Sequence, residues 1–180
     1  MARTWLTIRV ELVEGQGERL WPRPGRILAV ARSHTFDELA QAIDVAFARW
    51  DLGHLHEFRL ADGTRLSCPA ADEDETDLGE ALDDRRIKLS RLQPREQFVY
   101  IFDLGDSWTH LCTVEPDKGD PLDEFGEVPG QPVPIAGWGD IPDQYGRRWE
   151  DDDGDGPIPA DPGLPALPGL RIVRRDGPVH

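Results

Sequence analysis

The stretch QFVYIFDLGDSWTHLCTVE, residues 97–115, decides the fold, because two apolar runs flank a short turn that contains glycine. Residues 97–103 and 108–115 each have the two-residue alternation of a β-strand, and the turn between them predicts an antiparallel pair. Both faces of the first run are apolar, since Phe98, Tyr100 and Phe102 alternate with Val99 and Ile101. This pattern predicts a central strand that is covered on both sides.

The N-terminal half predicts further strands and one main helix. Residues 4–13 alternate like a half-buried strand, and a second strand is expected near residues 27–31. Thr35 and Glu38 form a capping-box pattern at the start of a predicted helix over residues 35–50, and Gly53 is the expected stop. Apolar residues then recur at helical spacing and predict one buried stripe: Phe36, Leu39, Ala40, Ile43, Phe47 and Trp50.

Beyond the helix, residues 56–60 and 64–67 flank Ala61-Asp62-Gly63 and predict a hairpin. A short strand is expected at residues 87–89, and a helical turn at residues 90–93. The fold class is therefore α+β, with a mostly antiparallel sheet and one main amphipathic helix packed on it. The expected order is β-β-α-β-β-β-β, which is somewhat β-grasp-like, followed by an irregular acidic and Pro-rich C-terminal appendage.

The 180 residues predict a single α+β domain over residues 1–150, with a core at 4–115 and a docked irregular segment at 116–150. Residues 151–180 are acidic and then rich in Pro and Gly, which predicts a disordered tail. The tail opens with Asp151, Asp153, Asp155 and Gly156, as an EF-hand loop does. Pro162 stands where such a loop has its bidentate Glu, so a solvated acidic run is the preferred interpretation.

Charge and cysteine content exclude several classes of function. The net charge is −15, and residues 116–156 alone carry −9, while residues 1–60 are neutral. This acidity argues against nucleic-acid binding over the bulk surface, and a basic protein is the expected partner of the acidic segments. No apolar run reaches the roughly 20 residues of a membrane span. Two cysteines cannot form a disulfide framework, so we expect a cytoplasmic protein. The oligomeric state is left open.

Two polar clusters are candidates for a functional site. The first is His54, His56 and Glu57, in which the two histidines would project to one side of an extended chain. The second surrounds the turn of the strand pair and contains Asp103, Asp106, Trp108 and His110. The alternative interpretation is structural: the aspartates form the turn, and His110 is a satisfied core residue.

If the two clusters meet, imidazole and carboxylate groups would suit zinc, manganese or iron. The metal ligands would then be His54, His56, Asp106 and His110, with one carboxylate left as a general base. Without such convergence no cofactor is expected. The sequence therefore leaves open a divalent-metal site and a purely structural role for these residues.

Three stretches together resemble a known family. The first runs from FDEL at 36–39 through Trp50 to HLHEF at 54–58. The second is YIFDLGDSWTH at 100–110, and the third is Gly137-Trp138-Gly139. In this order they are similar to the family named after the third open reading frame of a root-inducing (Ri) plasmid, whose members are often described as insertion-sequence passenger or TnpR-like proteins. The resemblance covers about residues 4–150 and implies a bacterial, plasmid- or transposon-associated α+β domain with no settled activity.

The resemblance also carries the family's polar motif onto this chain, at His54, His56, Glu57, Asp103, Gly105, Asp106, Trp108 and His110. Many relatives have a Cys/Pro-rich approach to the Gly-Trp-Gly segment, but residues 131–137 contain no cysteine here. A metal site that uses those cysteines is therefore absent or rebuilt. No recombinase nucleophile motif or basic DNA-binding helix supports a resolvase role.

The leading hypothesis is thus a non-enzymatic interaction or ligand-binding module. A metal-dependent hydrolase or nuclease that uses the His/Asp cluster is the alternative. Nucleic-acid handling linked to mobile elements is a third hypothesis.

Overall fold

The computed structural model describes residues 5–68, 80–116 and 120–146, and its main feature is a twisted sheet. Within these residues nine strands form that sheet: β1 (Trp5–Gly15), β2 (Glu18–Arg19), β3 (Gly25–Ala31), β4 (His56–Arg59), β5 (Arg65–Ser67), β6 (Leu82–Asp83), β7 (Gln97–Phe102), β8 (Trp108–Val114) and β9 (Val133–Trp138). A long helix, α1 (Phe36–Ala46), follows β3, and a short one, α2 (Pro121–Phe125), precedes β9. The predicted sheet-dominated α+β class is confirmed.

The strands lie in the order β6-β5-β4-β7-β8-β1-β3-β9, with β2 attached to β1. Neighbours are antiparallel except β5 and β6, which pair in parallel through Ser67 and Asp83. The predicted hairpin of the opening stretch is β7–β8, in which Tyr100 pairs with His110 and Phe102 with Trp108. The first strand of this hairpin, β7, is buried on both faces, as the apolar pattern of residues 98–102 indicates.

Helix α1 begins as its capping box predicts. The Glu38 backbone N–H donates to Thr35 Oγ1 over 3.1 Å, and the Thr35 N–H donates to Glu38 Oε2 over 2.6 Å. Its buried stripe packs on the sheet beside residues of β1, β4 and β7. The helix ends at Ala46, however, because Ala48 adopts a left-handed backbone conformation with φ of +53°. The predicted extension to Trp50, which is 40% exposed, is wrong, and Gly53 is not the stop.

Three further expectations need correction. Residues 87–89 form no strand: Lys88 makes an isolated bridge to Thr35, and Leu89–Arg91 is a 3-10 helix. The segment after residue 116 is less irregular than expected, because β9 adds an edge strand to β3. The strand order also differs, since β2, β6 and β9 are additional to those predicted. The β-grasp analogy and the domain boundaries stay predictions.

The tail at 151–180, with its EF-hand-like opening, lies outside the described residues. No helix within the described part of the chain is long and apolar enough to cross a membrane.

Glycine at the end of β1 allows close packing of the β8 tryptophan. A Cβ atom at Gly15 would lie 2.1 Å from Trp108 Cε3, and Trp108 is itself only 3% exposed. We therefore expect Gly15→Ala to lower the free energy of unfolding by about 1–3 kcal/mol, as overpacked cores typically do. Urea denaturation measures this decrease in the free energy of unfolding. Gly130→Ala is the matched control, because nothing lies within 4 Å of its added Cβ; equal midpoints for both variants would contradict the packing argument.

Candidate functional site between helix and sheet

A cavity of about 510 Å³ lies between helix α1 and the segment that leads into β4. Apolar and titratable side chains share its wall: Asp37, Ala40, Gln41, Asp44, Val45, Leu52, Gly53, His54, Leu55, His56 and Cys68. Its volume falls within the roughly 300–1,000 Å³ of pockets that bind small molecules. The helix supplies one wall because residues 37, 40, 41, 44 and 45 share one face at helical spacing.

The inner end of this cavity brings together four groups, here called the inner cluster: Asp37, His56, Cys68 and Asp84. One ligand atom each from Asp37, Cys68 and Asp84 lies within 4.8 Å of the others. His56 Nε2 is 2.5 Å from Asp84 Oδ2. The cluster thus joins the first turn of α1, the start of β4 and the residues that follow β5 and β6.

Asp84 is the most buried member of the inner cluster, since its side chain is fully enclosed. One of its oxygens bonds to His56, but Oδ1 has no hydrogen-bond partner in the described structure. Burial by itself would lower the pKa of His56, yet the hydrogen bond and charge of Asp84 outweigh this effect and raise it above its usual value. The contact with Asp84 therefore favours the protonated form of His56.

Asp44 is a second buried carboxyl on the cavity wall, about two turns along α1 from Asp37. The Tyr100 hydroxyl donates to its Oδ1 over 2.8 Å. Burial raises the pKa of Asp44 to about 7, although Tyr100, His56 and Arg49 partly oppose this shift. The group therefore changes charge near neutral pH, which is characteristic of functional sites and also of buried structural networks.

His54 belongs to a separate group at the cavity mouth. Its Nε2 lies 2.5 Å from the Tyr145 hydroxyl and 3.2 Å from Asp51 Oδ2, and its Nδ1 lies 3.3 Å from Asp103 Oδ2. Gln144 holds this region in place: its Oε1 accepts the backbone N–H groups of residues 50 and 51, and its Nε2 donates to the carbonyl oxygen of Asp51. The C-terminal segment thereby stabilises the loop that borders the cavity.

The structure does not unite all of the predicted site residues. His54 and His56 line the cavity, and Asp103 contacts His54. Glu57 points to the opposite face of β4, where Arg59 and Arg65 bind it; burial raises its pKa, but these arginines lower it below the usual value. Alternation along a strand separates Glu57 from its histidine neighbours.

The remaining three predicted residues serve the core and the turn. His110 is fully buried between Phe47, whose ring centroid is 4.7 Å away, and Tyr100. Burial, with the nearby Arg49 charge, lowers the pKa of His110 to about 3, so this residue is neutral. The Arg49 guanidinium lies 4.1 Å from the Trp108 ring centroid.

Asp106 accepts a hydrogen bond from Gln16 at the β7–β8 turn, away from the cavity wall. The proposed metal set of His54, His56, Asp106 and His110 therefore does not assemble. The interpretation of His110 as a core residue fits its surroundings better.

Sequence reasoning missed Asp37, Asp44, Cys68 and Asp84. Asp37 and Asp44 could have been found from the sequence, because both lie on the same helical face as Ala40, next to the predicted apolar stripe. Cys68 and Asp84 could not have been found in this way, since their proximity depends on the parallel pairing of β5 and β6. A short parallel pair separated by a polar stretch has no recognisable sequence pattern.

A mostly antiparallel sheet covered by one long helix, with a polar cavity between them, defines a sheet-dominated α+β protein with a helix-walled pocket. The chain belongs to the family of plasmid pRiA4b ORF-3-like proteins, whose model matches residues 5–143. This membership confirms the resemblance seen in the HLHEF, YIFDLGDSWTH and Gly-Trp-Gly segments.

The fold is similar to that of a solved structure of a protein of unknown function, MM3350, from Methanosarcina mazei Go1. It superposes with a TM-score of 0.61 at 20% identity, over 80% of this chain and 74% of that chain. At this identity the similarity shows the fold alone. No curated protein matches the chain.

The raised pKa of Asp44 predicts a specific pH dependence of stability. Between about pH 4 and pH 7 the unfolded chain has already lost this proton while the folded protein keeps it, so the contribution of Asp44 falls as pH rises. Asp44→Asn removes the buried charge and keeps an oxygen that can accept from Tyr100. As pH rises from about 5 to 8, we expect the Tm of the variant to increase relative to that of wild type. The increase should be roughly 2–4 °C for each kcal/mol of difference in the free energy of unfolding.

Thermal unfolding followed by circular dichroism at several pH values measures this difference. Asp123→Asn in α2 is the matched control, since it makes the same substitution at an exposed side chain outside the cavity wall. A constant difference between Asp44→Asn and wild type across this range would show that Asp44 does not titrate near neutral pH.

Proposed function

We propose that this protein is a non-enzymatic binding module that holds a small ligand with a cationic or hydrogen-bond-donating group in the α1–β4 cavity. The supporting observation is the wall itself, on which Asp37 and Asp44 face the space together with the apolar Ala40, Val45 and Leu55. Buried carboxylates stabilise a positive or donating group, and the apolar part accepts a hydrocarbon portion.

Charge at the inner end of the cavity supports the same class of ligand. Asp84 contributes a fully buried carboxylate, of which His56 contacts one oxygen and the other has no hydrogen-bond partner in the described residues. Asp44 ionises near neutral pH, so the affinity of the cavity for a cation is expected to increase above about pH 7. An anionic ligand would instead face like charges in a partly desolvated space.

The test uses a matched pair of probes, protonated n-hexylamine and hexanoate, at about pH 8, where the amine is charged and Asp44 is ionised. We expect n-hexylamine to shift the NMR amide signals of residues 40–45 and 52–56, and hexanoate to leave them unchanged. Asp44→Asn should weaken amine binding about tenfold, equivalent to about 1.4 kcal/mol.

Asp123→Asn is again the control, and its affinity for the amine should equal that of wild type. Equal shifts with both probes, or amine-induced shifts confined to other parts of the chain, would exclude a cation-selective cavity.

A metal-dependent hydrolase or nuclease is the second candidate, because the inner cluster contains carboxylate, thiol and imidazole groups within reach of one another. This function requires metal-dependent turnover of a phosphodiester such as bis(4-nitrophenyl) phosphate, lost in Asp84→Asn. Absence of turnover with added Zn²⁺ or Mn²⁺ would leave the binding module as the function.

Transposon association, nucleic-acid handling and a basic protein partner stay predictions.

A further inference from the structure

We propose that Asp37, Cys68 and Asp84 bind a transition-metal ion such as Zn²⁺ at the inner end of the cavity, with His56 as the residue that positions Asp84. This inference goes beyond the proposed function. The metal site and the proposed ligand share the cavity, but binding of the metal does not require binding of the ligand. The ligand set shares no residue with the one that the sequence suggested, and His56 acts here as a positioning residue instead of a ligand.

The fold brings the three ligands together from separate parts of the chain. In the parallel pair of β5 and β6, Ser67 lies opposite Asp83, so the next residues leave the sheet side by side. The Asp84 backbone N–H donates to the Ser67 carbonyl oxygen over 3.1 Å, which extends this pairing by one residue. The Asp37 N–H in turn donates to the carbonyl oxygen of Asp84 over 3.3 Å, which attaches the first turn of α1 to the same point.

The side-chain geometry is close to that of a metal site. The three ligand atoms lie within 4.8 Å of one another. Zinc bonds of about 2.3 Å to sulfur and 2.0–2.2 Å to oxygen need ligand atoms roughly 3.5 Å apart. The remaining approach of about 1 Å would come from rotation of the half-buried Asp37 and Cys68 side chains about their χ angles.

The fully buried Asp84 carboxylate independently indicates that a cation belongs here. Its Oδ1 has no hydrogen-bond partner in the described residues, although burying an unpaired carboxylate oxygen is costly. Its Oδ2 is held 2.5 Å from His56 Nε2. Such an outer hydrogen bond orients a ligating carboxylate and leaves the second oxygen to face the ion.

The donor types select the class of metal. A thiolate with two carboxylates suits zinc or a neighbouring transition metal, whereas calcium and magnesium prefer oxygen ligands alone. Three protein ligands leave a fourth position open, as in zinc sites that bind a further molecule. Asp37 and Cys68 both line the cavity, so this open position faces the space in which a ligand would lie.

Cobalt tests the site directly, because Co²⁺ bound to a thiolate gives a charge-transfer absorption band. Titration of the full-length reduced protein with Co²⁺ should produce this band at one equivalent, and Zn²⁺ should displace it. Cys68→Ser should abolish the band, and the matched control Cys112→Ala should retain it, since Cys112 is buried in the main core. Circular dichroism confirms that each variant is folded.

Three further variants separate the roles of the remaining residues. Asp84→Asn should lower the affinity for Zn²⁺, measured by competition with a chromophoric chelator, by at least about tenfold. Asp37→Asn, which changes a half-buried residue, provides the same test if Asp84→Asn does not fold. His56→Gln should keep the thiolate band while weakening affinity by about 10–100-fold, as expected for a positioning residue.

A missing band in wild type, or a band that persists in Cys68→Ser, would overturn the proposal. Zinc affinity unchanged in both Asp84→Asn and Asp37→Asn would indicate an adventitious ion only. Asp44→Asn should leave the cobalt band intact, so failure of n-hexylamine to bind and failure of the metal to bind are separate outcomes.

Discussion

The hydrogen bond from the Tyr100 hydroxyl to Asp44 is the interaction on which the arrangement of helix and sheet depends. Tyr100 is fully buried on β7, where its ring packs on Phe58 and His110, and its hydroxyl reaches α1 over 2.8 Å. Apolar packing against the sheet favours burial of the helix but specifies its position only loosely, since hydrophobic contacts are non-directional. A buried polar pair must be satisfied, so this bond selects one register of α1 over the strands.

That register determines the cavity and also the charge state of the interior. With α1 in this position, Asp37 and Asp44 face β4, while Phe47 at the end of the helix contacts His110. Two of the buried titratable groups act in opposite senses. His110 stays neutral in the folded protein, so its contribution to stability is lost as pH falls from about 6.5 towards 3. Asp44 contributes less as pH rises towards 7, so these two groups together favour weakly acidic solution.

The family's sequence motifs acquire a structural explanation from the sheet. HLHEF and YIFDLGDSWTH lie on adjacent strands, because His56 pairs with Phe102 and Phe58 with Tyr100. Asp103 accepts the backbone N–H groups of Gly105 and Asp106, which stabilises the turn to β8. The third motif is the end of β9, where the Trp138 indole donates to the carbonyl oxygen of Arg23. Most residues of these three segments thus serve pairing, turn formation and packing, and only His54, Leu55 and His56 among them line the cavity.

The sequence by itself determined the elements whose signals are local: the β7–β8 pair from two-residue alternation, and the start and apolar face of α1 from a capping box and helical spacing. It also pointed to His54 and His56, because histidines two residues apart in a strand share a face. Only the tertiary structure decided where α1 ends, since the left-handed Ala48 is not a residue that favours that conformation. The inner cluster was equally beyond sequence reasoning: Cys68 and Asp84 are adjacent because β5 and β6 pair in parallel, and strand pairing is a non-local choice made by the whole sheet.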